Sequence, residues 1–386
     1  MIKASAFLSI CKQNSIDFFS GTPCSYLKPL INAVIDDPEI DYYGATNEGD
    51  AVAIVCGAGM LKRKGVVMFQ NSGLGNAVNP LTSLVSPFRF PFLMIVTHRG
   101  QPGGPPDEPQ HELMGCITEQ MLSTMKIKWD YFPAKPEDLE TSMKTAIEYM
   151  ENTKQPFAYV LRKGTIEAQE LRQKKPDDPI GERSVEFAET LNKKYTERPT
   201  RTDVIKVVLQ HKLENDYIVA TTGKAGRELY TLEDSDRHLY MVGSMGCASS
   251  FTLGAALCSA DKRWVVLDGD AAALMRMGNL ATIGSIKPDN YLHILLDNEV
   301  NDSTGGQASV SGDIAMAAIA QSCGYKKVYS TDGIEDLEKA MADCTSTNGP
   351  TFIHMRIKMG SPKDLGRPKI KPHEVKERMI RALSAN

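Results

Sequence analysis

Apolar and polar positions along this chain fall into two long series of short, almost wholly apolar runs separated by segments with a helical period. In the first series the apolar runs lie at 16–19, 42–45, 66–70, 92–97 and 157–161, with helical patterns near 26–35, 50–62, 79–85 and 136–150. In the second they lie at 217–220, 239–242, 264–267, 292–296 and 352–356, with an apolar helix at 247–260 and another helix expected over 271–284. Short runs that are apolar throughout suit strands buried on both faces, and strand–helix repetition sets such strands in parallel between two helical layers. The expected fold is α/β, with two doubly wound parallel-sheet domains. Between the series, residues 163–201 are rich in charge and broken by Pro176, Pro179 and Pro199. The boundaries expected from this are a domain at 1–166, a connector at 167–200 and a domain at 201–386, with 184–194 able to form a surface helix in the connector.

Composition narrows the class. A chain of 386 residues is too long for one ordinary core and fits two domains. A net charge of -4 and a pI near 6.0 give no electrostatic case for nucleic acid or an acidic membrane. The eight cysteines lack paired zinc spacing and lie mostly in apolar stretches such as 54–57 and 256–259, so they read as reduced, buried and structural. Lys3 is followed by a short mixed stretch holding Ser5, Ser9 and Lys12, which is not a secretory signal. No apolar run approaches the ~20 residues of a membrane span. A cytoplasmic enzyme is expected.

The candidate chemistry sits at strand ends. Gly269-Asp270-Ala271 follows the run at 264–267, and Asp297-Asn298 closes the run at 291–296. An Asp and an Asn placed this way offer hard oxygen ligands, and Mg²⁺ takes one or two of these with phosphate oxygens and water. Polar residues at strand ends are also ordinary in any doubly wound sheet. Glu48 follows the run at 42–45 and opens a helix, where a carboxylate favours the helix dipole. A buried carboxylate at that point would have a pKa raised toward the range of a proton shuttle. Gly243-Ser244-Met245-Gly246 precedes the helix at 247–260, and Met245 there can be simple core filling. The Gly-rich turn from Thr221 to Arg227 lets backbone amides approach phosphate oxygens. No Gly-x-Gly-x-x-Gly opens either half, which argues against a dinucleotide fold.

The Gly-Asp-Ala and Asp-Asn pair resembles the thiamine diphosphate motif, departing from it at Ala271 and Asp297. Gly21-Thr22-Pro23-Cys24-Ser25, Gln70-Asn71-Ser72-Gly73-Leu74-Gly75-Asn76-Ala77, Asp107-Glu108-Pro109-Gln110-His111, Thr221-Thr222-Gly223-Lys224 and Asp302-Ser303-Thr304-Gly305-Gly306-Gln307 strongly resemble the phosphonopyruvate decarboxylase family. Sulfopyruvate decarboxylases share much of the same framework. The resemblance runs in order from about residue 19 to 367, without the connector; many relatives carry Asp where Cys24 stands and His where Asn301 stands.

The resemblance implies the thiamine diphosphate-binding fold without a central third domain: a pyrimidine-binding domain, then a diphosphate-binding domain with a lid-like tail. It implies thiamine diphosphate and Mg²⁺ as cofactors. Glu48 would protonate the aminopyrimidine, Gly243 would accept from its amine, and Met245 would bend the cofactor. Thr222, Gly223, Lys224, Gly269, Asp270, Ala271, Ala272 and Asn298 would hold it, with Asp270, Asn298 and Val300 at the metal. Asn71, Ser72 and His111 would act on the substrate from the first domain, and Asp302, Ser303 and Thr304 from the second. Arg99, Lys363 and Arg367 are candidates for the substrate's terminal anion. The reaction implied is decarboxylation of 3-phosphonopyruvate to phosphonoacetaldehyde in phosphonate biosynthesis, by a homodimer or higher homo-oligomer with active sites between subunits. The alternatives are a sulfopyruvate decarboxylase and a non-catalytic metabolite-binding protein of the same fold.

Overall fold

The computed structural model describes residues 1–173, 189–190, 197–344 and 349–385. The chain divides into two compact units, Met1–Gly181 and Glu182–Asn386. Much of the expected connector lies outside the described residues.

The first unit is built on strands β1 Ile16–Gly21, β2 Asp41–Gly44, β3 Lys64–Phe69, β4 Leu93–Thr97, β5 Lys128–Tyr131 and β6 Phe157–Leu161. They form one parallel sheet in the order β2-β1-β3-β4-β6-β5. The inner strands are buried along nearly their whole length, which is why they read as continuous apolar runs. β5 escaped sequence reading because its residues alternate between exposed and half-buried and include Lys128 and Asp130. Helices Ala4–Gln13 and Glu112–Thr124 were likewise not anticipated. Phe7, Phe19, Leu27, Leu30, Met68 and Ile95 belong to one apolar core. Each such side chain stabilises the fold by ~1.5–3 kcal/mol when fully buried. The helix Glu48–Met60 is buried from Gly49 to Ala58 and again at Met60, so its apolar sequence fixes it inside the unit. Its Glu48 end emerges at the carboxyl edge of the sheet.

The second unit carries β7 Glu189–Thr190, β8 Asp216–Ala220, β9 His238–Tyr240, β10 Arg263–Gly269, β11 Tyr291–Asp297, a small antiparallel pair β12 Val300–Asn301 and β13 Gln307–Ala308, then β14 Lys327–Thr331 and β15 Thr351–Arg356. The main sheet is parallel, in the order β7-β14-β15-β11-β10-β8-β9. β8 leads outward to β9, while β10 leads to β11 on the other side, so the strand order reverses between β8 and β10. In open α/β sheets that is where ligands bind, beyond the carboxyl ends of the strands. In the first unit the same reversal falls between β1 and β3.

Several expectations change. The helix expected over 271–284 is two helices, Asp270–Met275 and Gly278–Ile286, broken at Arg276 and Met277. The strand expected at 239–242 ends at Tyr240, because the chain turns at Ser244, which has a φ of 51°. Within the helix proposed for 184–194, Glu189 and Thr190 instead pair in parallel with Tyr329 and Ser330; the rest lies outside the described residues. The cysteines are all free, but Cys116 is exposed and Cys258 and Cys323 are half-buried, against the expectation that they are buried. Among the described residues no helix is long and apolar enough to cross a membrane.

Candidate cofactor and active site

In the first unit the carboxyl ends of three strands meet around Glu48. Asn47 caps the helix, its side chain accepting from the Gly49 amide at 2.8 Å, which holds Glu48 in the first turn. Thr22, just past β1, donates to Glu48 Oε1 at 3.1 Å, and Asn76 Nδ2 donates to Oε2 at 2.7 Å. A Cβ at Gly73, just past β3, would lie 2.4 Å from Glu48 Cγ and 2.7 Å from Oε1. The Asn-Ser-Gly turn therefore leaves room for this carboxylate and nothing more. Glu48 is half-buried within this chain, not buried as expected, because it stands at the sheet's open edge.

The other first-unit candidates divide into two groups. Asn71 is fully buried and turned inward: its Nδ2 donates to the Arg99 carbonyl at 2.9 Å and to Thr118 at 3.0 Å. That placement makes it a brace for the turn after β4 instead of an open cavity wall. Ser72 is exposed and accepts from Gln70 Nε2 at 2.7 Å. His111 is buried, with Nδ1 lacking a partner, at the end of the 3-10 turn Pro109–His111. Arg99 is committed to Asp107 through two hydrogen bonds, one at 2.9 Å, and stacks over the Tyr26 ring at 5.1 Å. The Arg99 hydrogen bond holds the Asp107 carboxyl well below its usual range, although burial opposes this. An arginine so engaged is a loop anchor, and the expectation that it receives the substrate's anion loses its free donor face. Cys24 Sγ lies 3.4 Å from Gln70 Oε1 and 3.7 Å from Thr97 Oγ1, in the buried wall behind these groups.

The second unit places a cavity at its strand reversal. It is lined from β8 by Thr221, Thr222 and Lys224, from β10 by Gly269, Asp270, Ala271 and Ala272, and from β11 by Asn298, with Met245, Val300, Asn301, Asp302 and Ser303. Thr304 stands beside it on the β12–β13 hairpin, donating to Gln307 Oε1 at 2.9 Å. Gly243 is half-buried in the same turn as Met245. Gly223 has φ 95° and ψ -134°, a conformation reserved for glycine, and from it the helix Lys224–Leu232 starts at the cavity. Free N–H groups and the positive end of the helix dipole at such a start favour an anion. Asp270 is buried, and burial followed by repulsion from Asp297 raises its pKa. A cation beside it would remove that penalty. Asn298 is buried too: Oδ1 accepts from the Val300 amide at 3.3 Å, leaving a lone pair, and Nδ2 has no partner. An anionic oxygen would satisfy that donor, and a cation the free lone pair. The donor set thus fits a divalent cation carrying a phosphate group.

Arg201 is the cavity residue that sequence reading missed. Its guanidinium donates to Glu228 at 2.7 Å and to Asp302 at 3.1 Å, and all three side chains are largely buried. Asp302, expected to act on substrate, is in this way held by an ion pair. Arg227, at the end of the Gly-rich turn, donates to the Leu365 and Gly366 carbonyls. Lys363 and Arg367, on the same tail segment, are exposed.

This fold and site are those of a thiamine pyrophosphate enzyme. The model of the thiamine pyrophosphate enzyme N-terminal TPP binding domain matches residues 1–120, and that of the C-terminal TPP binding domain matches residues 221–355. The chain is 42% identical to a phosphonopyruvate decarboxylase of Streptomyces viridochromogenes, over 93% of this chain and 89% of the relative. It is equally 42% identical to one of Streptomyces hygroscopicus, over 98% and 93%. The chain belongs to the phosphonopyruvate decarboxylase family of thiamine pyrophosphate enzymes. A sulfopyruvate decarboxylase of Methanosarcina acetivorans is 29% identical over 97% of this chain and 96% of its own. Among solved structures, a thiamine diphosphate-dependent 4-hydroxybenzoylformate decarboxylase of Rhodococcus jostii RHA1 gives a TM-score of 0.70 over 93% of this chain and 99% of that one. At 12% identity it speaks for the fold alone.

Proposed function

We propose that this protein decarboxylates 3-phosphonopyruvate to phosphonoacetaldehyde and carbon dioxide, with thiamine diphosphate and Mg²⁺. The observation that carries the substrate is the 42% identity to phosphonopyruvate decarboxylases over nearly the whole chain, against 29% to a sulfopyruvate decarboxylase over a like span and 39% to a sulfopyruvate decarboxylase beta subunit over only 44% of the chain. When bound, thiamine diphosphate supplies a nucleophilic carbon and an electron sink for the departing carboxylate. The reaction exchanges one carbon–carbon bond at the keto carbon for a carbon–hydrogen bond, so the site must deliver a proton there.

Glu48, held by Thr22 and Asn76, is the carboxylate that would exchange a proton with the aminopyrimidine. Gly243 offers its carbonyl to the amine, and Met245 is the wedge in the cavity of the second unit. Thr222, Gly223 and Lys224 hold the diphosphate. Asp270 and Asn298 hold Mg²⁺, with Val300 beside them. Among the described residues no group of three or more His, Cys, Asp and Glu is arranged to hold a metal. Mg²⁺ needs only one or two protein oxygen ligands, with phosphate oxygens and water completing its shell. His111 is the proton donor to the product carbon. Lys363 and Arg367, exposed on the tail, bind the phosphonate. The acting unit is at least a homodimer, and the two compact units serve as pyrimidine-binding and diphosphate-binding domains.

The test is carbon dioxide and aldehyde release from phosphonopyruvate, sulfopyruvate and pyruvate in parallel, with cofactors present or omitted. Cofactor-dependent turnover with the highest kcat/KM for phosphonopyruvate is expected; a preference for sulfopyruvate would overturn the substrate. Glu48→Gln should abolish turnover while keeping cofactor affinity, and Asp270→Ala should weaken Mg²⁺-dependent cofactor binding. Equal losses of affinity in both would contradict the assigned roles.

A further inference from the structure

Asp297 stands next to Asn298 yet does not line the cofactor cavity. It opens on a second, polar cavity shared with Ser311, Asp313, Ser330, His354 and Arg356. Both of its oxygens are engaged. Ser311 Oγ is 2.8 Å from Asp297 Oδ1 and, on its other side, 3.1 Å from Asp270 Oδ2. His354 Nε2 lies 2.8 Å from Asp297 Oδ2, and the Glu299 amide donates to Oδ1 at 3.0 Å. Asp270, Asp297, Ser311 and His354 are all buried. A chain of hydrogen bonds therefore runs from the cofactor cavity to the second cavity.

We propose that Ser311, Asp297 and His354 are positioning residues that fix the Asp270 carboxylate for the divalent cation; this rests on the reading of Asp270 as a metal ligand. The Ser311 hydroxyl, whose single hydrogen is shared between the two carboxylates, ties one oxygen of Asp270 to a strand end whose own carboxylate is anchored by a backbone amide and an imidazole. The torsion of Asp270 is set before a cation arrives, because the Ser309 side chain and the Ala271 backbone also hydrogen-bond to it. The arrangement also accounts for Asp where the motif has Asn. A carboxylate accepts on both sides, from Ser311 and from His354, whereas an amide offers one acceptor and sets its NH₂ against a donor on the other side.

The experiment is isothermal titration of Mg²⁺ into protein saturated with thiamine diphosphate, comparing native protein with Ser311→Ala, Ser311→Thr, His354→Ala and Asp270→Ala, alongside the thermal midpoint of each. Loss of a group that orients a ligand weakens metal binding about 10- to 100-fold. Ser311→Ala and His354→Ala should raise the Mg²⁺ Kd by that factor in protein that still melts cooperatively, at a midpoint lowered by the lost buried hydrogen bond, while Ser311→Thr, which keeps the hydroxyl, stays within about threefold of native. His354 lines the open second cavity, so His354→Ala decides the matter if Ser311→Ala does not fold. Native Mg²⁺ affinity in both alanine variants, with binding lost in Asp270→Ala, would overturn the positioning role. Native affinity in Asp270→Ala would overturn the metal assignment itself and this inference with it.

Discussion

Gly73→Ala isolates the geometry of Glu48 from the stability of the fold. Gly73 has φ -68° and ψ -14°, so its backbone suits any residue. Replacing a glycine in such a conformation stabilises by ~0.4–1 kcal/mol through the unfolded chain. The side chain has no such freedom. The new Cβ would stand 2.4 Å from Glu48 Cγ, where ordinary contact begins at 3.4 Å, so the glutamate must retreat by the difference of 1.0 Å. Its hydrogen bonds from Thr22 at 3.1 Å and Asn76 at 2.7 Å cannot both follow that shift. A misplacement of ~1 Å in a catalytic group costs about 100-fold, or ~2.7 kcal/mol of barrier. The expected result is a protein that stays folded, its thermal midpoint set by the ~0.4–1 kcal/mol gained through the unfolded chain against the hydrogen bond Glu48 loses, and whose kcat falls about 100-fold. Steady-state carbon dioxide release and a thermal melt on the same preparation test this. A kcat within about threefold of native would refute the argument that the Gly73 void exists to seat Glu48.

Two further outcomes follow from buried charge. Arg201→Met strands Glu228 and Asp302 in the interior of the second unit and should lower stability by ~3–5 kcal/mol in urea denaturation; a loss under ~1 kcal/mol would mean that the pair is not desolvated. His238 is buried, and burial lowers its pKa from 6.5 to about 4 despite the opposing charge of Glu233. The unfolded chain takes up a proton that folded His238 refuses, so this contribution is complete above 6.5 and falls as pH drops from 6.5 to about 4. The loss should amount to ~3 kcal/mol. His238→Gln should flatten that part of the stability profile in urea titrations between pH 7.5 and 4.5, and an unchanged slope would contradict the cause given.

What could be read from sequence, and what could not, has a common physical origin. Strands such as β4 and β11 are buried on both faces, so burial forces an apolar run that is visible in one dimension. β5 and β14 carry charged or half-exposed residues and leave no such mark. The break at Arg276 and Met277 was invisible for a related reason: apolar residues continue on both sides of it. Glu48, Asp270, Asn298 and Met245 could be singled out as candidates because each follows within a few residues of an apolar strand's end. Arg201, Ser311 and His354 were not, because their partners lie 27, 41 and 57 residues away in the chain.

The sequence by itself determined the two α/β halves, the strand ends that carry chemistry and the identity of the groups placed there, since local periodicity and turn geometry are properties of neighbouring residues. Only the tertiary structure decided which of those groups remain available. Folding consumed Arg99 on Asp107, Arg227 on the tail carbonyls and Asp302 on Arg201. It left Glu48 seated over a missing side chain and Asn298 with an unsatisfied donor. Charge pairing and exclusion of volume act through space, between segments that parallel strands bring together from distant parts of the chain.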